Sequence, residues 1–542
     1  MYSKNLPSRL RAIFVYSLAD KKTHQITDGL ADSISPAFDA SGKYLYFLAS
    51  TNYGPSSGWL EMSSIDRPVR RAIYLAVLSA SEPSPLLPET GDEPPPKPAP
   101  TGEAPPPQPA AAPAPRTINV RIDFDGIGQR IIAVNVPAGD YGSLTPGAPG
   151  SFYFTEPVLT TAPVAPSLRL QRYQLGARAA TPFLEGIRSY SLSGDRKKLL
   201  YQAGSATWGV VPTDRPVPVK VGDGPLNVAS LEMRVDPRAE WQQIFRETWR
   251  IQREYFYDPK FHGADWKAVY EKYLPLVQYV GHRADLGYLI AAVGGELVVG
   301  HSYLVGTGDV PGEDPVSVGL LGADFAIENG RYRIKRVFTG ENWNPDLRAP
   351  LSAPGVQVSE GDYVLEVNGR QLTPTANIYS MFEGTAGRQT LVRVGKNPSG
   401  VGSRVITVIP IANEDGLRTR AWVEDNRRLV DKLSGGKLAY VWLPNTTGAG
   451  YTYFTRYYYA QQDKEGAIID ERYNHGGQVA DYIVNELERK LMGYFVQRDG
   501  QPSTSPIAGI YGPKVMLINE SAGSGGDALP YMFHQRKIGP MV

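Results

Sequence analysis

The chain has 542 residues, a formal net charge of +1, 42% apolar residues and no cysteine. That length predicts three or four domains, and the balanced charge with no long basic run argues against a nucleic-acid partner. The missing thiols exclude disulfides, cysteine catalysis and thiolate metal sites, and no apolar run approaches the roughly 18 residues of a membrane span.

Residues 1–230 read as β-rich and repetitive. "RAIFVYSLADKKTHQITDG" is an apolar strand, a polar turn and a short second strand. "ISPAFDASGKYLYFLAS" turns at 39–42 and alternates from Tyr44 to Leu48, and "IRSYSLSGDRKKLLYQAG" repeats the plan. Short strands with regular turns predict propeller blades, with a plain β-meander as the alternative. The start, "MYSKNLPSRLRAIFVYSL", lacks the layout of a signal peptide and reads as the interior of a blade. The sequence is therefore expected to be cut there, so that a leader would go unseen. Residues 82–116 are Pro/Ala-rich and are expected to form an extended, mobile inserted loop, since they cannot build a core.

Residues 236–315 predict a helical unit. Trp241, Phe245, Trp249 and Gln252 share one side at helical spacing, with Ile244 and Ile251 beside them. "ADWKAVYEKYLPLV" and "ADLGYLIAAVGGEL" continue the pattern. Over 316–412, "VSEGDYVLEVNGRQL" looks like the centre of a PDZ domain, and Asn368-Gly369 is a strong hairpin turn. "VGLLG" is the candidate carboxylate-binding loop of that domain. Over 413–542, the strands "LAYVWLP", "GAIIDERY" and "KVMLINE" alternate with the helices "QVADYIVNELERKL" and "GGDALPYMFHQRK", an α/β layout.

The chemistry centres on "NESAGSGGDALP", where Ser524 sits between a strand and a helix. A serine there lies beside a helix N-terminus that favours negative charge. To attack a carbonyl it needs a base and N–H donors for the oxyanion. Gly525 offers one N–H, and the Gly476-Gly477 turn can offer a second. "AGSGG" also approaches the G-x-S-x-G elbow, but the Asp-then-His order that an α/β-hydrolase requires after the serine is missing. "GSGGDA" matches G-x-G-x-x-A only weakly, and no G-x-x-x-x-G-K-[ST] is present. No H-E-x-x-H occurs, so neither a metal nor a cofactor is expected. Taken alone, the stretch is most simply a glycine-rich turn with an incidental serine.

The order of motifs changes that weight. "GELVVGHSY", the PDZ-like segment, "DERYNHGGQ" and "NESAGSGGD", taken in sequence, resemble the tricorn-type serine proteases, relatives of the tail-specific C-terminal-processing peptidases. "FDASGKYLYFLAS" and "REYFYDPKFHGADW" are similar to bacterial tricorn-like proteins, so the resemblance covers essentially the whole chain. It implies a multidomain β and α/β fold. A partial β-propeller spans 1–230, the helical N-terminal half of the peptidase core 236–315, a PDZ domain 316–412, and an α/β serine-peptidase half 413–542 that is cut at its C-terminus.

By the same resemblance Ser524 matches the nucleophile and His301 the general base. The N–H groups of Gly525 and Gly476 match the oxyanion donors, with Gly477 one position away. Gly300, Ser302, His475 and Gly477 would line the site. His475 is the rival base, but a base there would crowd the oxyanion donors. Two departures stand out. The family's relay has a serine immediately before the histidine, where this chain has Gly300, and Ser302 lies on the wrong side to inherit the role. The relay's glutamate falls beyond residue 542, so the polypeptide as given is expected to be incomplete. The resemblance further implies peptide substrates, propeller and PDZ domains that govern substrate access, and a homo-oligomer. The expected location is cytoplasmic, or periplasmic or secreted should a leader be missing. The alternative function is a non-catalytic peptide-binding scaffold whose protease site has decayed.

Overall fold

The computed structural model describes residues 1–51, 69–87, 120–158, 167–215, 218–306 and 315–542. Most of the Pro/Ala-rich stretch predicted over 82–116 lies outside them. The chain divides into two compact units, one formed by residues 1–231 with 438–542, the other by residues 232–437.

Within 1–231 the strands follow one another as antiparallel meanders. A three-stranded sheet (Tyr2–Asn5, Arg11–Tyr16, Thr23–Gln25) precedes three four-stranded sheets that run through 32–133, 142–187 and 189–226, each paired in chain order. The repeat expected from the strand–turn–strand pattern is therefore a series of four-stranded sheets. No sheet closes on itself among the described residues.

The strand Tyr44–Ser50 shows why the sheets stack. All seven of its residues are buried. Side chains alternate across a strand, so Tyr44, Tyr46 and Leu48 enter a core with Phe152, Phe154 and Tyr173, while Leu45, Phe47 and Ala49 enter a second core with Ile13, Val15 and Ala76. The turn before it is fixed by buried Asp39. Its carboxylate accepts the Ser41 N–H at 2.7 Å, the Tyr46 hydroxyl at 2.9 Å and the Gly150 N–H of the next sheet at 2.9 Å.

Unit 232–437 opens with three helices. Pro237–Tyr255 and Trp266–Tyr273 are N-capped by Asp236 and Asp265, and Arg283–Gly295 by a capping box of His282 and Asp285. Phe245, Trp266, Leu286 and Ile290 form their core, with Trp241, Ile244 and Trp249 packed on it. Trp249 and Trp266 exchange indole N–H bonds with each other's carbonyls at 2.7 and 3.1 Å. Ile251, grouped with the core face from its spacing, is instead 48% exposed.

The sheet that follows pairs Ala323–Glu328, Arg331–Val337, Tyr363–Val367, Thr390–Gly395 and Arg404–Val408 in that order. Its Asn368-Gly369 turn has φ of 49° and 77°, the left-handed pair that a two-residue hairpin requires. Three N–H groups of the expected carboxylate loop are taken up within this unit. Gly319 N–H donates to Phe382 O at 2.9 Å, Leu320 N–H to Ile411 O at 2.7 Å, and Gly322 N–H to the Glu414 carboxylate at 2.9 Å. Those donors are spent inside the domain. The helix Asp415–Ser434, assigned from sequence to the α/β half, packs Leu417 and Ala421 against Phe338 and Ala349 of this unit.

Residues 438–542 form a parallel sheet of Leu438–Trp442, Gly466–Asp470 and Lys514–Leu517. The crossover helices are Gly448–Tyr459 and Ala480–Leu487, and Gly525–Gln535 follows the last strand.

Candidate active site

The three parallel strands end in register, with Trp442 opposite Asp470 and Asp470 opposite Leu517. The chain segments leaving them, 443–447, 471–477 and 518–524, therefore meet beyond the carboxyl edge of the sheet, where open α/β sheets place their sites. Main-chain bonds tie the segments together. Leu443 N–H donates to Asp470 O and Glu471 N–H to Leu517 O, both at 2.9 Å. Thr446 N–H donates to Gly476 O at 2.9 Å, and Gly523 N–H to Asn474 O at 3.0 Å.

Ser524 is half-buried, and it stands at φ 60° and ψ −115° immediately before the helix Gly525–Gln535. A non-glycine residue there costs roughly 1–3 kcal/mol and persists only where its surroundings hold it. Here they do. A β-carbon on Gly476 would lie 2.7 Å from Ser524 Cβ and 2.9 Å from Gly525 N, and one on Gly525 would lie 2.1 Å from Thr446 Oγ1. Only glycine lets these two turns interlock. As the first helical residue, Gly525 has no intrahelical acceptor for its N–H. Gly476, at φ 85°, directs its N–H to Asn474 Oδ1 at 2.8 Å.

The fold thus brings Ser524, Gly525, Gly476 and Gly477 together. His475 is exposed, and its own backbone N–H bonds Pro444 O at 3.2 Å. His301, Gly300 and Ser302 belong to the other unit. His301 is exposed beyond the helix Arg283–Gly295, its ring edge-on to Tyr303 with centroids 5.8 Å apart. Ser302 Oγ turns back on that helix, 2.8 Å from where a Gly294 β-carbon would stand. Among the described residues, a β-carbon on Gly300 would meet nothing within 4 Å.

Sequence reasoning passed over three residues beneath the serine turn. Glu471, Asn474 and Thr446 are all fully buried, and among the described residues Glu471 Oε1 and Oε2, Asn474 Nδ2 and Thr446 Oγ1 lack hydrogen-bond partners. Burial first, then the neighbouring charges of Asp527 and Asp470, push the Glu471 carboxyl up to about 9. Asp470, beside it, is paired. It pairs with Arg472 and accepts the Tyr440 hydroxyl, both at 2.6 Å. The only available signal for Glu471 was an acidic residue directly after a buried strand, which is too common to single out. Among the described residues no group of His, Cys, Asp and Glu is arranged to hold a metal ion, and no helix is long and apolar enough to cross a membrane.

Residues 437–542, which carry this serine turn, match Peptidase family S41. More narrowly, residues 319–413 match the Tricorn protease PDZ domain and 237–295 the Tricorn protease C1 domain, and the chain belongs to the tricorn-type serine proteases of family S41. Tricorn protease homolog 1 of Streptomyces coelicolor is 31% identical over 99% of this chain and 50% of its own length. Tricorn protease of Thermoplasma acidophilum is 27% identical over 98% of this chain and 47% of its own. A crystal structure of the tricorn protease shares the fold, with a TM-score of 0.79 at 23% identity over 98% of this chain and 50% of that one. The chain spans about half the length of these relatives.

Proposed function

We propose that the chain carries the working half-sites of a serine peptidase that hydrolyses peptides by acyl transfer. Ser524 attacks the carbonyl, and His301 takes its proton and returns it to the leaving amine. Gly525 N–H is the principal oxyanion donor. Gly476 is the second, or its neighbour Gly477, because Asn474 already engages the Gly476 N–H. The observation that supports this reading best is the strained Ser524 backbone, held at the head of a helix by an interlocked glycine turn. Under the same proposal the N-terminal sheets are propeller blades that, with the PDZ domain, govern access of peptides to a cytoplasmic homo-oligomer.

A second reading, a peptide-binding scaffold with a decayed site, draws on Gly300, which stands where the family's relay has a serine. Fluorophosphonate labelling of the full-length protein separates the two. The peptidase reading expects one adduct, mapped to Ser524 and absent from Ser524→Ala. A folded protein that takes no label supports the scaffold.

A further inference from the structure

Glu471 has no task in the chemistry above, yet it occupies the ground directly behind it. It follows the central strand Gly466–Asp470 and is fully buried. A β-carbon on Gly526 would lie 3.1 Å from Glu471 Oε1 and 3.2 Å from Asn474 Cβ. The glutamate therefore sits against the second residue of the helix, two positions from Ser524 and one from the Gly525 donor. Among the described residues no cation pairs with it. The charged groups acting on it are Asp527, from the first turn of that helix, and Asp470, at the end of its own strand. Both are acidic, and Asp470 is already committed to Arg472 and Tyr440.

An unpaired carboxylate in such a place costs far more than a neutral acid. The helix N-terminus favours the anion by a much smaller amount. Negative charge here would also oppose the charge that develops on an oxyanion held by Gly525. We propose that Glu471 is a positioning residue that works as a neutral carboxylic acid, backing the Ser524–Gly525–Gly526 turn without placing a charge behind the oxyanion. The effect on reaction rate rests on Ser524 being the nucleophile; the neutrality of Glu471 does not. Raising the pH ionises Glu471, at a midpoint near 9 set first by burial and then by Asp527 and Asp470, and slows acylation.

The test has two readouts on the full chain. The first is the rate at which a fluorophosphonate probe labels Ser524 between pH 6 and pH 10.5. Wild type is expected to slow at least tenfold on the alkaline side. Glu471→Gln is expected to keep the neutral-pH rate within about threefold and to lose the alkaline decline. Asp527→Asn, an exposed substitution that leaves Glu471 in place, is expected to move the decline to lower pH. The second readout is the infrared difference between wild type and Glu471→Gln, which is expected to hold a carboxylic-acid carbonyl band at pH 7 that vanishes at pH 10.5. An unchanged alkaline decline in Glu471→Gln, or a carboxylate band at pH 7, overturns the proposal. Should Glu471→Gln not fold, a decline that Asp527→Asn leaves unmoved overturns it as well. A neutral-acid band in a folded protein that never labels would instead sink the serine-nucleophile reading, so the two failures are distinguishable.

Discussion

Gly476 and Ser524 meet so closely that a β-carbon on the glycine would stand 2.7 Å from the β-carbon of the serine. The same atom would come 2.7 Å from Gly523 O and 2.9 Å from Gly525 N, so main chain would have to move. Gly476→Ala also places a side chain at φ 85°. We expect it to destabilise the fold by about 1–3 kcal/mol and to cut Ser524 labelling by roughly two orders of magnitude. A thermal melt and a labelling time course check both; wild-type labelling by a folded Gly476→Ala would show that the interlock is dispensable.

Ser524→Gly separates strain from chemistry. At φ 60° and ψ −115° glycine is at ease where serine is not. Relief of that strain outweighs the extra entropy of the unfolded chain, and we expect a net gain of about 1 kcal/mol, seen as a rise in Tm, together with complete loss of labelling. A lowered Tm would mean that the serine side chain stabilises the turn.

Stability should depend on pH through Glu471. Its folded-state carboxyl is raised from the usual carboxylate range to about 9. Below the unfolded value both states are protonated, and its contribution to stability is fully present. As pH rises from about 4.5 to about 9 the unfolded chain ionises while the fold does not, so stability falls. Glu471→Gln should therefore gain stability relative to wild type across this window, and by several kcal/mol at its alkaline end. Urea midpoints at pH 5, 7 and 9 measure the difference; a difference that stays flat with pH would count against a raised Glu471.

Among the described residues nothing stands within 4 Å of where a Gly300 β-carbon would go. Gly300→Ser should fold with unchanged Tm. If His301 is the base, an added hydroxyl in the relay position should raise the labelling rate, by about tenfold at most, the worth of one good hydrogen bond. No change in rate, with the fold intact, would indicate that the relay is completed differently in this chain.

Much of the architecture is local and could be read from residues. Asn368-Gly369 required a left-handed turn, and ADLGYLIAAVGGEL carried the pattern of the helix Arg283–Gly295. The runs GAIID and KVML could only be buried strands. Helix Gly448–Tyr459 escaped notice because GAGYTYFTRYYY is rich in the aromatic and β-branched residues that favour strands. It is a helix because two neighbouring parallel strands need a crossover, and its buried Gly450, Phe454, Tyr457 and Tyr458 fall on one helical face. Local alternation in the strand Tyr44–Ser50 likewise could not say that both faces are covered, since the second layer comes from other sheets.

The site divides in the same way. Residue type and order along the chain set which residues have the right chemistry: a serine at a strand-to-helix turn, glycines that can yield N–H groups, and a histidine in family order. Folding decided that Gly476 interlocks with Ser524 across 48 residues of chain, that Asn474 holds the Gly476 N–H, that the Gly319, Leu320 and Gly322 donors of VGLLG are spent internally, and that Glu471 is sealed beside two other carboxylates. Turn chemistry and periodicity are carried by neighbours along the chain. Close approach, hydrogen-bond competition and the cost of a buried charge depend on segments that only folding brings together.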